Sequence, residues 1–319
     1  MKISKINFNG RYSISDDNVY IYNGGSGFSF LMKGKGFGID LRSIGGDGYY
    51  YIIIDKDYSK KTKVLAKDKY RYSFNNDDLH RIDVFKANEA NDNTLILIDL
   101  NVDGELLDFS KEPQKRVVVY GDSTIAGFGI LAKSGEASIH NSDAVEDFCF
   151  QALYELGLDA DILSASGYGL VFSPYTCPNN IGIIDFFDKL KVHSDVSWNN
   201  NRKNDLLIIS LGTNDNAYIQ ENSQNREKLI KKFKEKYQQL IDSEIKKNPN
   251  LKVLMVYGTL NEENTYYLIE ETYQYLRPLY KNLYIHKFNG DNSAISNHAF
   301  VDTHKRMAEE LKEALKSIL

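Results

Sequence analysis

Cysteine is scarce in this chain. Cys149 and Cys177 are the only two, too few for a disulfide framework or a four-thiolate zinc site. Long apolar runs are missing as well, and none approaches the roughly 18 residues of a membrane span. The start, Met1-Lys2-Ile3-Ser4-Lys5, lacks the apolar stretch and small-residue cleavage site of a signal peptide. A cytoplasmic location is therefore expected, with secretion after removal of a signal as the alternative. There is no excess of basic charge: 39 lysines and arginines stand against 44 acidic residues, a formal charge of −5. Neither half is basic, which argues against nucleic acid or an anionic membrane as partner. Proline is absent before Pro113, whereas half of the 22 glycines lie there.

What is present is ample apolar material. The 319 residues are 42% hydrophobic, enough for one large or two ordinary domains. Before Pro113 the chain is written in short alternating stretches, such as Phe28 to Met32, Phe37 to Leu41, Tyr50 to Ile54, Tyr70 to Tyr72 and His80 to Lys86. Glycine- or asparagine-rich groups separate them, among them Gly24-Gly25-Ser26-Gly27 and Gly34-Lys35-Gly36. Tyrosine- and isoleucine-rich stretches of this length predict an antiparallel all-β sandwich over 1–112.

After Pro113 strands alternate with helices. Strands are expected at Arg116 to Tyr120, around Ile162, at Leu206 to Leu211, Lys252 to Tyr257 and Leu283 to His286. Helices are expected at Asp143 to Leu156, Ile184 to Leu190, Arg226 to Lys247, Asn264 to Leu276 and Thr303 to Ile318. That alternation predicts an α/β domain over 113–319, a parallel sheet with helices on both faces. The polar boundary, Lys111 to Gln114, is short, so the two domains should pack together. No repeat or low-complexity segment occurs.

Three strand ends carry small polar groups at the sheet edge where open α/β folds place ligands. Val117-Val118-Val119-Tyr120 runs into Gly121-Asp122-Ser123. Ser164-Ala165-Ser166-Gly167-Tyr168-Gly169 follows the second strand, and a glycine there lets a backbone N–H approach a ligand oxygen. Leu207 to Leu211 ends in Gly212-Thr213-Asn214-Asp215, where the Asn214 amide could donate to a developing oxyanion and Asp215 could hold the loop. Either of the first two alone would fit an ordinary capped turn. Acyl transfer by serine needs a base, most often an imidazole. His298 lies between the last strand and the terminal helix, at the same edge. His304 falls on the packing stripe of that helix with Met307, Leu311, Leu315 and Ile318. His80 and His286 lie in strands, and His140 and His193 in polar loops.

In that order, Gly121-Asp122-Ser123, Gly167, Gly212-Thr213-Asn214-Asp215 and a late histidine resemble the SGNH hydrolase superfamily. The closing stretch from His298 through His304 to Leu311 is similar to that superfamily's last block. With a β-rich first half, Gly10-Arg11-Tyr12 and His80 to Lys86, the chain resembles carbohydrate esterase family two over nearly its whole length. The resemblance implies an all-β jelly roll followed by an SGNH-type parallel sheet with flanking helices.

It also implies roles. Ser123 would be the nucleophile and His298 its base, with Ser123 N–H, Gly167 N–H and the Asn214 side chain as oxyanion hole. Asp122, Asp215, Ser296 and His304 would support them, and no metal or organic cofactor is required. Ile295-Ser296-Asn297-His298-Ala299 departs from the superfamily, which usually has an acid shortly before the histidine and a proline after it. A backbone carbonyl near Ser296 or Asn297 could orient His298 instead; an Asp302–His304 pair is the rival arrangement. The implied activity is deacetylation of acetylated plant polysaccharide or oligosaccharide, of xylan or glucomannan type, as in acetylxylan esterases. Another acyl donor, or a degenerate carbohydrate-binding protein, remain alternatives. Tyr168, Tyr218, Trp198 and Phe128 flank the motifs and could stack on sugar. The sequence does not fix the oligomeric state.

Overall fold

Tyrosine-, isoleucine- and phenylalanine-rich stretches form nine strands among the described residues of the first half. They are β1 (Asn7–Asn9), β2 (Tyr12–Ser15), β3 (Asn18–Ile21), β4 (Gly27–Ile44), β5 (Tyr49–Ile54), β6 (Thr62–Leu65), β7 (Tyr70–Ser73), β8 (Leu79–Lys86) and β9 (Thr94–Leu107). All pair antiparallel, in the order β2-β3-β9-β4-β8-β5-β6, with β1 and β7 also pairing with β4. Inward residues from these strands, Phe28, Phe30, Ile39, Tyr50, Ile82 and Leu97 among them, form one core. The computed structural model describes residues 3–109, 115–176, 181–198, 203–260 and 262–319. The expected boundary at Lys111 to Gln114, and Cys177, lie outside the described residues.

One expected break between strands is absent. Gly34-Lys35-Gly36 lies inside β4, where the register against β9 shifts. Gly34 and Gly104 face each other there with φ of +153° and +142°. A Cβ on either would stand 2.2 Å from a carbonyl oxygen of the opposite strand. These glycines permit a bulge at which two long strands approach closely, rather than a reversal of the chain.

The described residues of the second half form a five-stranded parallel sheet. Its strands are β10 (Arg116–Gly121), β11 (Asp159–Ser164), β12 (Leu206–Ser210), β13 (Lys252–Tyr257) and β14 (Leu283–Lys287). They lie in the order β11-β10-β12-β13-β14. β10 and β12 are buried along their whole length, as strands covered on both faces must be. The helices are α1 (Ser123–Ala126), α2 (Phe148–Glu155), α3 (Thr213–Glu221), α4 (Arg226–Ile245), α5 (Glu263–Leu276) and α6 (Val301–Ile318). α2 and α6 contribute to the core on one face of the sheet, and α4 and α5 to that on the other. No helix among the described residues is long and apolar enough to cross a membrane.

Two helical expectations need correction, and one helix was missed. α2 begins at Phe148 rather than Asp143, because the Asp147 carboxylate accepts the N–H groups of Cys149 and Phe150 as an N-cap. Asp143 instead meets Tyr51 Oη at 2.9 Å and Lys63 Nζ at 2.7 Å, in the β domain. Ile184 to Leu190 is not a helix; a single 3₁₀ turn covers Ile183–Asp185. The carbonyls of Lys189 and Leu190 are used instead by Arg11 and Asn23 of the β domain. α3 was not foreseen, since Thr-Asn-Asp-Asn is a poor helical start on propensity.

The domains are packed against each other through buried polar contacts. Arg11 is 1% exposed and donates from Nε to Asp161 Oδ1 at 2.9 Å. Trp198 Nε1 donates to the other oxygen of Asp161 at 3.0 Å. Tyr58 Oη donates to the Val145 carbonyl at 2.6 Å.

Candidate functional site

β11 and β12 flank β10 on opposite sides, so the connections leaving β10 and its neighbours part and open a crevice at their carboxyl ends. Ser123 stands there as the first residue of α1, directly after β10. Asp122 caps α1, accepting from Thr124 N at 3.0 Å and Thr124 Oγ1 at 2.9 Å. As the first residue of the helix, Ser123 has an N–H that no helical carbonyl can satisfy.

His298 reaches the same point from the loop before α6. Its Nε2 lies 2.7 Å from Ser123 Oγ, and its Nδ1 lies 2.8 Å from the Ser296 carbonyl oxygen. That carbonyl is turned toward the ring by left-handed backbone at Ser296 and Asn297, with φ of +52° and +59°. The loop is closed on both sides: Ala294 N–H donates to the His298 carbonyl at 2.7 Å, and Ile295 N–H to the Ala132 carbonyl at 3.2 Å. With Nδ1 donating to a carbonyl, Nε2 is left as the basic nitrogen. Burial pushes the His298 pKa down, and the Ser296 carbonyl opposes that shift without reversing it.

The loop after β11 supplies Gly167. Its φ is +80°, and a Cβ would stand 2.5 Å from Thr176 Cγ2, so glycine is required. Asp215, fully buried, ties down the rest of this loop. Its two oxygens accept the N–H groups of Leu170, Val171 and Phe172 at 2.7, 2.8 and 2.9 Å. Burial raises the pKa of Asp215 to about 6 despite those bonds, and does the same to Asp122. Asn214 Nδ2 donates to the Tyr168 carbonyl at 2.9 Å, which uses one amide hydrogen and leaves the other for a ligand.

Ser123, Gly167, Asn214, Ser296 and His298 thus line one cleft of about 750 Å³. Asp302 and His304 are not brought together. The Asp302 carboxylate is 75% exposed beside Lys305, whereas His304 is buried and accepts the Phe148 N–H at Nδ1, 3.2 Å away.

The expected sugar-stacking residues are mostly misplaced. Tyr168 is 2% exposed, its ring in the core and its hydroxyl on His193. Tyr218 stacks on Phe172 with ring centroids 4.8 Å apart. Trp198 sits between the domains, edge-on to Tyr12. Each follows a motif in sequence, but packing turns it away from the cleft. Phe128 does line the cleft, together with Tyr175, Glu262 and Glu263, which sequence reasoning missed. These three lie in or beside loops with no periodic pattern to single them out.

Residues 8–109 match the family described as Carbohydrate esterase 2 N-terminal. No curated protein matches the chain by sequence. Among solved structures, a family two carbohydrate esterase from Cellvibrio japonicus is similar with a TM-score of 0.82 and 20% identity, over 99% of this chain and 95% of that one. A family two carbohydrate esterase from Clostridium thermocellum, in complex with cellohexaose, gives 0.81 and 20%, over 98% of each chain. An acetyl xylan esterase from the rumen bacterium Butyrivibrio proteoclasticus gives 0.81 and 15%, over 99% and 96%.

Proposed function

We propose, from the premise that this chain opens with a carbohydrate esterase family two N-terminal domain and has that family's fold throughout, that it is a serine esterase of carbohydrates. The single observation that carries this reading is the 2.7 Å contact between Ser123 Oγ and His298 Nε2, in a cleft that also presents Gly167 and Asn214.

His298 Nε2 takes the Ser123 proton as Oγ attacks the acyl carbonyl. The oxyanion then accepts from the Ser123 and Gly167 N–H groups and from Asn214 Nδ2. These donors are in place before the charge develops, which is the condition for electrostatic catalysis. His298 next protonates the departing sugar oxygen, and water repeats the sequence on the acyl-enzyme. The Ser296 carbonyl does the orienting work of the missing acid, so Ser123 and His298 act as a dyad.

The substrate we favour is acetylated plant polysaccharide or its oligosaccharides, of xylan or glucomannan type. An acetyl xylan esterase among the relatives, and another relative in complex with cellohexaose, support a β-linked glycan. The cleft's charge supports a neutral one: among the described lining residues there is no lysine or arginine, while Glu262 and Glu263 are acidic. Tyr175, 68% exposed, offers a ring face at the rim for sugar.

The test is hydrolysis of a chromogenic aryl acetate and of a defined acetylated xylo-oligosaccharide. Ser123→Ala should abolish both while the thermal midpoint stays near that of the parent. Equal activity in parent and variant would refute the assignment.

A further inference from the structure

The loop that carries Gly167 is held at several points, and one of them comes from the other domain. Within the catalytic domain, Asp215 takes the amides of residues 170–172, Asn214 takes the Tyr168 carbonyl, and Thr176 Oγ1 donates to the Gly167 carbonyl at 3.2 Å. On the N-terminal side of Gly167 the hold is different. The Ser166 N–H donates to Glu89 Oε2 at 2.8 Å, and Glu89 belongs to the β domain, three residues beyond the end of β8.

Glu89 is fixed in turn. It is 8% exposed, on a short segment pressed between the domains. Lys86, 1% exposed, folds back so that its ammonium donates to the carbonyls of Asn88 at 2.6 Å and Glu89 at 2.9 Å. The Asn88 side chain receives Tyr49 N–H at 2.7 Å and donates to the Ile139 carbonyl at 2.9 Å. Ala144 N–H closes onto the Ala87 carbonyl at 2.8 Å. The segment therefore cannot slide without breaking contacts in both domains.

We propose that Glu89 is a positioning residue for the oxyanion hole: the β domain's carboxylate grips the Ser166 N–H and so sets the direction of the neighbouring Gly167 N–H in the cleft. The inference rests on the esterase reading of that cleft. Gly167 lacks a Cβ and sits at φ +80°, so its own conformational preferences do little to fix the Ser166–Gly167 peptide. The grip on the preceding amide supplies that constraint. An oxyanion donor misdirected by a fraction of an ångström loses much of its effect on the transition state and little on substrate binding. On this account the β domain takes part in turnover through Glu89, in addition to packing against the catalytic domain.

The experiment compares Glu89→Ala, Glu89→Gln, Glu89→Asp and Tyr58→Phe in the full chain. Kinetics on an aryl acetate, inhibition by phenylboronic acid (a tetrahedral adduct on Ser123) and thermal midpoints are read for each. Glu89→Ala should lower kcat about 10- to 100-fold, less than the roughly 10²–10³ for outright loss of an oxyanion donor because the donor is misdirected rather than removed, with KM changed less than about threefold. Boronate affinity should fall by a similar factor. Glu89→Gln keeps an oxygen acceptor at the same reach and should retain most activity, whereas Glu89→Asp falls one methylene short and should behave like Glu89→Ala. If Glu89→Ala does not fold, the Gln and Asp pair carries the test. Tyr58→Phe removes an interdomain hydrogen bond that involves neither Glu89 nor the Gly167 loop, and should lower the midpoint without changing kcat. Parent-like kcat and boronate affinity in a folded Glu89→Ala or Glu89→Asp would overturn the inference. So would a kcat loss in Tyr58→Phe equal to that in Glu89→Ala, which would make the contact one of domain docking alone. A parent chain that neither hydrolyses the ester nor binds the boronate would overturn the esterase reading and this inference with it.

Discussion

Replacing His304 by asparagine should change how stability depends on pH and leave turnover intact. His304 is buried in α6, its ring near Phe148 and its Nδ1 accepting the first N–H of α2. Burial, with His298 nearby, pushes its pKa down to about 3. In the unfolded chain a histidine titrates near about 6.5. Below that pH the unfolded chain takes up a proton that the folded one refuses. The stability tied to neutral His304 is therefore present above pH 6.5 and is lost as the pH falls toward 3. At 1.36 kcal/mol per pKa unit, the loss has reached about 2 kcal/mol by pH 5.

Asp122 and Asp215 act with the opposite sign. Their pKa values are raised from 3.8 to about 6, so their contribution is present below 3.8 and is lost as the pH rises through 6. Between pH 4 and 6 the two effects oppose each other, so the His304 contribution is read from the variant and not from the parent alone. His304→Asn keeps an acceptor for the Phe148 N–H but does not titrate. Lost packing should make it less stable than the parent at pH 8, by about 1–3 kcal/mol. That gap should narrow by about 2 kcal/mol at pH 5. Urea unfolding midpoints at the two pH values measure the change, and kcat/KM on an aryl acetate measures function. An unchanged gap would show that His304 does not hold its proton-free form. A folded but inactive variant would move the base from His298 to His304.

Asn214→Ala should lower kcat about 10²–10³-fold with a small change in KM, because the contact strengthens only as the oxyanion forms. Steady-state kinetics on an acetylated oligosaccharide check this, and a pure KM effect would make Asn214 a substrate-binding group instead. The acid limb of the kcat/KM–pH profile should have its midpoint below the ordinary histidine value of 6.5, since burial lowers the His298 pKa. Activity is gained as the pH rises through that midpoint and the imidazole becomes neutral. A limb centred above 6.5 would reveal a carboxylate partner.

The sequence carried the parallel sheet because β10 and β12 are apolar throughout, and α4, α5 and α6 because their apolar positions recur at helical spacing. Ser123, Gly167 and Asn214 were legible because each follows a strand end that the sheet order brings to one crevice. What was not legible is tertiary in origin. α3 is helical with Asp215 buried under the Gly167 loop, a contact that propensity does not register. Gly34-Lys35-Gly36 reads as a turn unless Gly104, seventy residues on, is known to lie opposite. Tyr168 and Trp198 stand next to motifs but belong to the core and to the domain interface. Glu89 left no signal, because its partner lies in another domain.

The absence of an acid before His298 fits the local backbone. An acid in a triad holds the tautomer and stabilises imidazolium. On the proposed esterase reading the first task falls to the Ser296 carbonyl, at 2.8 Å from Nδ1. Two successive non-glycine residues in left-handed backbone bring it there, at a cost of about 1–3 kcal/mol each. The Ala294 and Ile295 hydrogen bonds, which anchor the loop to itself and to Ala132, oppose its relaxation. The second task is only half met, since a neutral carbonyl stabilises a cation less than a carboxylate does. The carbonyl therefore offsets only part of the downward shift that burial imposes on His298, and the base loses its proton more readily. Such a base remains neutral, and so competent, at a lower pH. On that reading, what it gives up in proton affinity must be recovered where the negative charge appears, which places the greater demand on Gly167, Asn214 and the residues that aim them.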